Sequence, residues 1–238
     1  MSIPILMYHQ IDQPPARGTS LRGLIVAPKS FSWQMQMLKW MGYRGLSMKD
    51  LEPYLKGQLH GKVVGLTFDD GYQNNLKNAL PVLLKMGFTA TCYGLSRMMG
   101  QSNVWDRGKV AEKSLMSLEE WREWHKAGMD VGSHTQHHAD LLAVTPEQAC
   151  IEINASKAEL EQAIGCEVRH FCYPYGRYAP EHIEMVKQAG YATATTTHRG
   201  RVHAGHDLYA LRRIMVARAT HPLQFYVKIA TAYEDARS

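Results

Sequence analysis

The sequence predicts an α/β fold in which parallel strands alternate with helices. Seven short apolar runs are rich in β-branched and aromatic residues, helix-like segments lie between them, and glycines follow several of those segments. Strands and helices that alternate in this way form parallel sheets with right-handed crossovers, as an open doubly wound sheet or a closed barrel. No composition shift or linker divides the chain, so we expect a single domain over residues 1–238.

The predicted strands are, in chain order, IPILMYH, KVVGLTF, FTATCYGL, MDVGSH, VRHFCYP, YATATTT and LRRIMVAR. One predicted helix follows the last strand, and the others span Lys29 to Met41, Asn74 to Met86, Ser117 to Ala127, Thr145 to Ile164 and Pro180 to Ala189. Ser117 and Glu120 have the spacing of a capping box. The segments rich in glycine and polar residues are expected to be loops: Gln13 to Ala27, Met98 to Ser114 and Arg199 to Asp207.

Composition excludes several classes of protein. The N-terminus has no basic region of a signal peptide and no apolar stretch is long enough for a membrane span, which predicts a cytoplasmic protein. The four cysteines lack C-x-x-C spacing and are expected to be reduced. The net charge of +5 is spread along the chain, so an anionic glycan is a plausible partner and nucleic acid is not expected.

Polar side chains cluster at the ends of the predicted strands. In parallel α/β folds, the carboxyl ends of the strands meet at the edge that carries the active site. The residues that fall there come from distant parts of the sequence: His9, Asp69, Asp70, His134, His138 and the YPYG segment from Tyr173 to Gly176. We expect them to converge in space.

Two histidines and two aspartates in this set form a pattern typical of catalytic metal sites. His134 and His138 are four residues apart, which on a helical turn places both imidazoles on one face. Asp70 is the natural third ligand, and a set of two histidines and one carboxylate leaves positions open for water and substrate. Asp69 is then free to act as the general base that activates water for attack on a carbonyl.

Each feature also has a structural interpretation. The two aspartates followed by Gly71 are compatible with a simple strand end, and the HTQHH segment with a polar surface turn in which His137 replaces His138 as ligand. The YPYG segment is compatible with a plain proline turn, and His9 with a core position beside Tyr8.

The chain resembles the NodB-homology polysaccharide deacetylases, carbohydrate esterase family 4. The resemblance runs from ILMYH through TFDDGY, SHTQHH and FCYPYG to the last strand. It implies a distorted (β/α)7 barrel, Asp69 as base, and Asp70, His134 and His138 as ligands of a divalent metal, with Zn preferred and Co, Ni or Mn as alternatives. It also implies removal of acetyl groups from N-acetylated sugars, or from O-acetylated sugars in some members.

The sequence departs from the family at two motifs. Cys172 stands where the third motif, R-x-P-Y-G, has its arginine, and cysteine cannot form a bidentate ion pair with the base. We interpret this as a subgroup trait in which Pro174 and the backbone N–H of Tyr175 still line the oxyanion position. The fifth motif of the family, Leu-x-His, supplies the general acid from its histidine, and the last strand here has no such histidine. His9 is the best-placed replacement; the other candidates are His198, His203, His206 and His221, with Arg212 or Arg213 in an electrostatic role.

Three hypotheses follow. The first is a metal-dependent deacetylase acting on an N-acetylhexosamine in a polysaccharide, oligosaccharide or lipid-linked glycan. The second is an enzyme on the same barrel that hydrolyses a cyclic amide or another C–N or O-acetyl bond. The third is a glycan-binding relative without turnover, which is disfavoured because Asp69 is present.

Overall fold

The computed structural model describes residues 2–237, so Met1 and Ser238, the ends of the predicted domain, lie outside the described residues. The strands are, in chain order, β1 (Ser2–Ile3), β2 (Ile5–Tyr8), β3 (Gln10–Ile11), β4 (Ile25–Val26), β5 (Arg44–Leu46), β6 (Val63–Phe68), β7 (Thr91–Gly94), β8 (Asp130–Ser133), β9 (His170–Cys172), β10 (Thr193–Arg199), β11 (Val202–His203) and β12 (Leu211–Met215). The helices are α1 (Pro28–Trp40), α2 (Met48–Leu55), α3 (Leu80–Met86), α4 (Leu118–Lys126), α5 (Pro146–Ile164), α6 (Pro180–Gln188) and α7 (Pro222–Ala230).

Seven parallel strands close into a barrel. The order around the ring is β2, β12, β10, β9, β8, β7 and β6, and β6 pairs with β2 to close it. Six strands of the ring lie within predicted runs, and β10 begins within YATATTT and continues two residues beyond it, to Arg199, so the predicted (β/α)7 barrel is confirmed. The barrel is distorted where β10 and β12 change register between Thr195 and Arg199.

The predicted helices are found with ends that differ by at most one residue, except at one place. The segment predicted as a helix from Asn74 is a π-helical turn over Asn75–Ala79 and becomes a regular α-helix only at Leu80. The side-chain amide of Asn75 accepts a hydrogen bond from the backbone N–H of Ile11 and donates one to the carbonyl of His9. Because this amide bonds to the chain after β2, we attribute the wider first turn to it.

The sequence patterns missed β5 and α2. β5 has three residues and pairs with the first half of β6, whose second half pairs with β7, so β5 adds no strand to the ring. Three residues are too few to show a period. α2 begins at an N-cap, Ser47, whose hydroxyl accepts a hydrogen bond from the backbone N–H of Asp50, and it contains Pro53. A proline within eight residues weakens any helical pattern.

The direction of side chains at the ends of β2 and β6 is set by an aromatic cluster outside the ring. Tyr8 and Phe68 pack against Phe31 of α1, with ring centroids 5.3 and 5.8 Å from it. Successive side chains of a strand alternate between faces, so Thr67 points to the interior. Asp69 lies two residues after Thr67, so its side chain points to the same side, at the mouth of the barrel.

Among residues 2–237, no helix has both the length and the apolar character that crossing a membrane requires. The predicted cytoplasmic location stays a prediction.

Candidate functional site

The structure brings the predicted site residues together at the carboxyl ends of the barrel strands. A cavity of about 220 Å³ is lined by residues that follow or end four different strands and by residues of two loops. The predicted residues in this lining are His9, Asp69, Asp70, His134, His138, Tyr173 and Tyr175. The convergence that the sequence predicted is therefore observed.

Asp70, His134 and His138 are arranged as a possible set of metal ligands. The Oδ1 atom of Asp70 lies 3.4 Å from Nε2 of His134 and 3.3 Å from Nε2 of His138, and all three residues are buried. In a tetrahedral site with metal–ligand bonds of about 2.0–2.1 Å, ligand atoms lie about 3.3–3.4 Å apart. Two of the three distances between donor atoms match a divalent ion such as Zn²⁺, and all three donor atoms lie within 4.8 Å of one another.

Contacts outside the cluster orient these ligands. His134 donates a hydrogen bond from Nδ1 to the carbonyl of Cys172 at 2.7 Å, which leaves Nε2 directed at Asp70. The ring of His138 stacks on Trp105 at a centroid distance of 4.6 Å and meets the edge of Tyr175 at 4.5 Å. Burial raises the pKa of Asp70, but hydrogen bonds from the two histidines outweigh it and hold that pKa well below its usual value.

His137 is not part of the cluster. Its side chain is 54% exposed and its Nδ1 lies 2.8 Å from Oε1 of Glu152 on α5. The alternative in which His137 replaces His138 as ligand is therefore not favoured by the geometry.

The loop that carries the two histidines is not the helical turn predicted from their spacing. Thr135 and His138 have positive φ angles of 72° and 64°, so the backbone leaves the right-handed helical region. The backbone N–H groups of Gln136 and His137 both donate to the buried carboxylate of Glu152. This anchor replaces the hydrogen bonds of a helical turn and still brings both imidazoles to Asp70.

Asp69 is paired with an arginine that sequence reasoning did not assign to it. The guanidinium of Arg213 on β12 donates two hydrogen bonds to the carboxylate, at 2.7 and 2.8 Å. Both residues are buried, with exposed fractions of 3% for Asp69 and 1% for Arg213. Burial raises the pKa of Asp69, but the charge and hydrogen bonds of Arg213 outweigh it, so the pKa lies below the usual value. Asp69 is ionised at neutral pH.

Arg213 reaches Asp69 from β12, whereas the family arginine was expected at position 172, at the end of β9. Its Nη2 atom also donates to Sγ of Cys172 at 3.2 Å, its Nη1 to Thr67 and its Nε to the carbonyl of Thr196. The sequence indicates that Cys172 cannot orient the base. Arg213, on a different strand, makes this interaction instead. Strand parity on β12 is the signal that distinguishes Arg213, which points inward, from Arg212, which is partly exposed.

His9 lies beside Asp69, with its Nε2 atom 3.9 Å from Oδ2 of the carboxylate. The other histidines considered as replacements for the missing acid, His198, His203, His206 and His221, are absent from the described lining of this cavity. Geometry thus leaves His9 as the imidazole near Asp69 that is not among the metal-ligand candidates.

The YPYG segment forms a tight turn at the cavity wall. Tyr175 has a φ angle of 59° and is 46% exposed, and it lines the cavity. Gly176 also has a positive φ, and a Cβ atom there would lie 1.9 Å from Oγ1 of Thr197. Pro174 is buried at the start of the turn. The predicted roles of Pro174 and of the Tyr175 N–H at the oxyanion position stay predictions.

Two residues that contact the site were missed from the sequence. Trp105 lies in a segment predicted only as loop, and nothing in the sequence pattern indicates that it stacks on His138. Glu152 had a usable signal, because it lies on the buried face of α5 among apolar residues such as Ala149 and Ile153. A carboxylate on such a face needs polar partners.

A family model for polysaccharide deacetylases matches residues 56–194 of this chain. The chain belongs to the polysaccharide deacetylase family. The protein YxkH of Bacillus subtilis is 33% identical over 217 residues, a region that covers 90% of this chain and 71% of YxkH. The poly-β-1,6-N-acetyl-D-glucosamine N-deacetylase of Staphylococcus epidermidis is 26% identical over 206 residues, covering 83% and 70% of the two chains.

Solved structures agree with the family membership. The deacetylase PplD of Streptococcus pyogenes, solved in complex with acetate, superposes with a TM-score of 0.84 and is 28% identical. The match covers 96% of this polysaccharide deacetylase and 98% of PplD. The predicted family, barrel and enzyme class, a carbohydrate deacetylase, are thereby confirmed.

Proposed function

We propose that this polysaccharide deacetylase hydrolyses the N-acetyl group of an N-acetylhexosamine within a glycan, using one divalent metal ion. The observation that carries the proposal is the ion-paired carboxylate of Asp69 beside the Asp70, His134 and His138 cluster in one cavity. The substrate of the staphylococcal relative, a poly-N-acetylglucosamine, supports an N-acetylated sugar as the target.

Asp70, His134 and His138 would hold the metal ion. One carboxylate and two imidazoles suit Zn²⁺, and Co²⁺, Ni²⁺ or Mn²⁺ are alternatives for the same donors. When bound, such an ion supplies a Lewis acid that polarises the acetyl carbonyl. Each donor is buried, so the cavity walls shield these charges from bulk water.

Asp69 is the proposed general base. Arg213 holds both carboxylate oxygens, which keeps the group ionised and fixes its direction toward the cavity. An ionised carboxylate next to the metal-ligand set can accept the proton that water loses as it attacks the acetyl carbon.

His9 is the proposed general acid. The leaving amine must gain a proton as the C–N bond breaks, and His9 lines the same cavity as Asp69. The alternative role for His9 is to orient Asp69. Because Arg213 already binds both oxygens of Asp69, the orienting role is filled and the acid role is favoured.

The proposal is tested by metal analysis combined with an acetate-release assay on purified protein. We expect one divalent ion per chain, and hydrolysis of N-acetylglucosamine oligomers that chelators abolish and Zn²⁺ restores. Asp70→Ala and His134→Ala should lose the ion. Asp69→Asn should keep the ion and lose about 10²- to 10⁴-fold in turnover.

The same assay separates the alternatives. Faster hydrolysis of O-acetylated sugars or cyclic amides than of N-acetyl sugars would move the reaction to the second hypothesis. Glycan binding with no turnover of any of these substrates would indicate a binding protein. Normal metal content in both ligand variants would reject the assignment of Asp70 and His134.

A further inference from the structure

A second, larger cavity adjoins the proposed active site. Its volume is about 480 Å³, compared with about 220 Å³ for the cavity at Asp70. Sites for organic ligands typically measure about 300–1,000 Å³. His9, Leu24 and Thr197 line both cavities, so the two spaces share a wall. A molecule whose acetyl group lies at Asp70 can therefore extend past His9 into the second cavity.

The linings of the two cavities differ in charge. Asp70 and Asp106 line the first cavity with one cation, Lys109, while the charge of Asp69, which also lines it, is balanced by Arg213. The second cavity is lined instead by cations from the last part of the chain.

Three cations and one carboxylate line the second cavity: Arg199, Lys228, Arg237 and Glu234. Glu234 is buried and accepts hydrogen bonds from Arg199 and from Nζ of Lys228, the latter at 2.7 Å. Arg237 lies over the ring of Tyr233, 4.5 Å from its centroid. Arg213 also reaches this cavity, but Asp69 balances its charge. Two positive charges therefore remain in excess.

Part of the wall of the second cavity is apolar. Met7 from β2, Met215 from β12 and Ala217 line it. Apolar walls lower the local dielectric constant and concentrate the field of nearby charges. An oxyanion entering this cavity would gain more electrostatic binding free energy than a neutral hydroxyl group of the same size.

We propose that the second cavity binds a carboxylate or phosphate of the substrate, carried next to the sugar whose acetyl group lies at Asp70. The inference rests on the proposed deacetylase function, because the acetylated sugar has to occupy the first cavity for its neighbour to reach the second. It narrows the substrate class to acidic glycans or glycosyl phosphates and makes a neutral homopolymer the poorer substrate.

Three small substrates test this inference on the Zn²⁺-loaded enzyme: the neutral dimer of N-acetylglucosamine, a disaccharide of N-acetylglucosamine and glucuronate, and N-acetylglucosamine 1-phosphate. We expect at least one charged substrate to exceed the neutral dimer about tenfold in kcat/KM at low ionic strength. The advantage of the charged substrate should shrink in 0.5 M salt, because the screening length at that ionic strength is well below about 10 Å. The better charged substrate identifies the source of the oxyanion.

Two substitutions that add negative charge to the lining link the effect to the cavity. Arg237→Glu and Gln224→Glu place negative charge in the lining at side chains that are exposed or partly exposed, so folding is not at risk. Each should lower the ratio of kcat/KM for the charged substrate to kcat/KM for the neutral dimer at least fivefold, mainly by raising KM for the charged substrate. Arg218→Glu is the matched control, because Arg218 is exposed nearby and does not line the cavity. Its ratio should fall by less than that of either cavity variant.

Equal kcat/KM for all three substrates, or a ratio unchanged by both cavity variants, would overturn the inference. Calorimetry of the same ligands with the metal-free wild-type protein, in which the ion pair of Asp69 and Arg213 is intact, provides a readout that needs no turnover. If no substrate releases acetate, the proposed function fails, and tighter calorimetric binding of the charged ligands would still support the cavity. Equal affinity for charged and neutral ligands would reject it.

Discussion

At the scale of single residues, the pair of Arg213 and Cys172 shows how one interaction can be supplied from different strands. The family motif places an arginine at the position of Cys172, and here the guanidinium comes from β12 and contacts both the Cys172 sulfur and Asp69. A cysteine leaves room for this side chain, whereas two guanidinium groups in the same buried space would repel each other.

Arg213→Lys is expected to slow the enzyme at least tenfold in kcat, with KM and metal content little changed. A lysine ammonium is a point charge and cannot bind both oxygens of Asp69 in the planar geometry of a guanidinium. The measurement is steady-state kinetics with metal analysis. Arg212→Lys is the control, because Arg212 lies next in sequence but is partly exposed and contacts the carbonyl of Arg199 instead. A wild-type kcat for Arg213→Lys would exclude the positioning role.

A swap of the two side chains tests whether the charge can be moved between strands. Arg213→Cys alone leaves the buried carboxylate of Asp69 without its cation and should be nearly inactive. Adding Cys172→Arg should recover at least tenfold in kcat, provided that circular dichroism shows both variants folded. A folded double variant as slow as the single one would mean that position 172 cannot serve Asp69 in this barrel.

His9→Ala is expected to lose most of its turnover of N-acetyl sugars while keeping its metal. If His9 protonates the leaving amine, an aryl acetate, whose leaving group needs no proton, should recover most of the lost rate. If His9 only orients Asp69, both substrates should slow by the same factor. A wild-type rate on N-acetyl sugars would remove His9 from the mechanism.

At the scale of secondary-structure elements, α5 determines the shape of the loop after β8. Glu152 accepts hydrogen bonds from two backbone N–H groups of that loop and lies 2.8 Å from Nδ1 of His137. The loop therefore holds His134 and His138 against Asp70 in a conformation that residues 134–138 would not adopt by local preference, since two of them have positive φ angles.

Glu152→Ala should weaken metal binding about 10- to 100-fold, as is typical when a contact that orients metal ligands is lost. The dissociation constant for Zn²⁺ in a competition with a chelator is the measurement. Glu147→Ala, at an exposed position in the first turn of the same helix, is the control and should bind as the wild type does. Equal affinity for all three proteins would show that the loop keeps its shape without Glu152.

At the scale of the whole molecule, a buried carboxyl on β8 makes stability depend on pH. Burial raises the pKa of Asp130 to about 7, and the Thr91 hydroxyl, at 2.6 Å, offsets only part of this. His170, 4.0 Å away, does not supply a positive charge, because burial lowers its pKa to about 3. In the unfolded chain an aspartate titrates near pH 4, at about 3.9.

Because the folded state keeps the proton of Asp130 up to about pH 7, its contribution to the free energy of unfolding falls as pH rises from about 4 to 7. Asp130→Asn removes this term. The difference in stability between variant and wild type should shift in favour of the variant by about 2–4 kcal/mol between pH 5 and pH 8. Urea unfolding at the two pH values measures the shift, and a constant difference would contradict it.

The sequence by itself determined the barrel and most of the site. Seven apolar runs separated by helices specify the ring because each strand needs only local pattern and short connections, and the residues that follow those strands then meet at one edge by topology. Asp69, Asp70, His134 and His138 could be predicted for this reason.

Only the tertiary structure decided which side chains complete the site. Arg213 reaches Asp69 because strand parity on β12 turns it inward. Glu152 and Trp105 reach the histidine loop from positions 14 and 33 residues away from His138. Contacts of this kind depend on the packing of elements that are distant in sequence. No local period or motif encodes them, because hydrogen bonds and ring stacking act over a few ångströms in space.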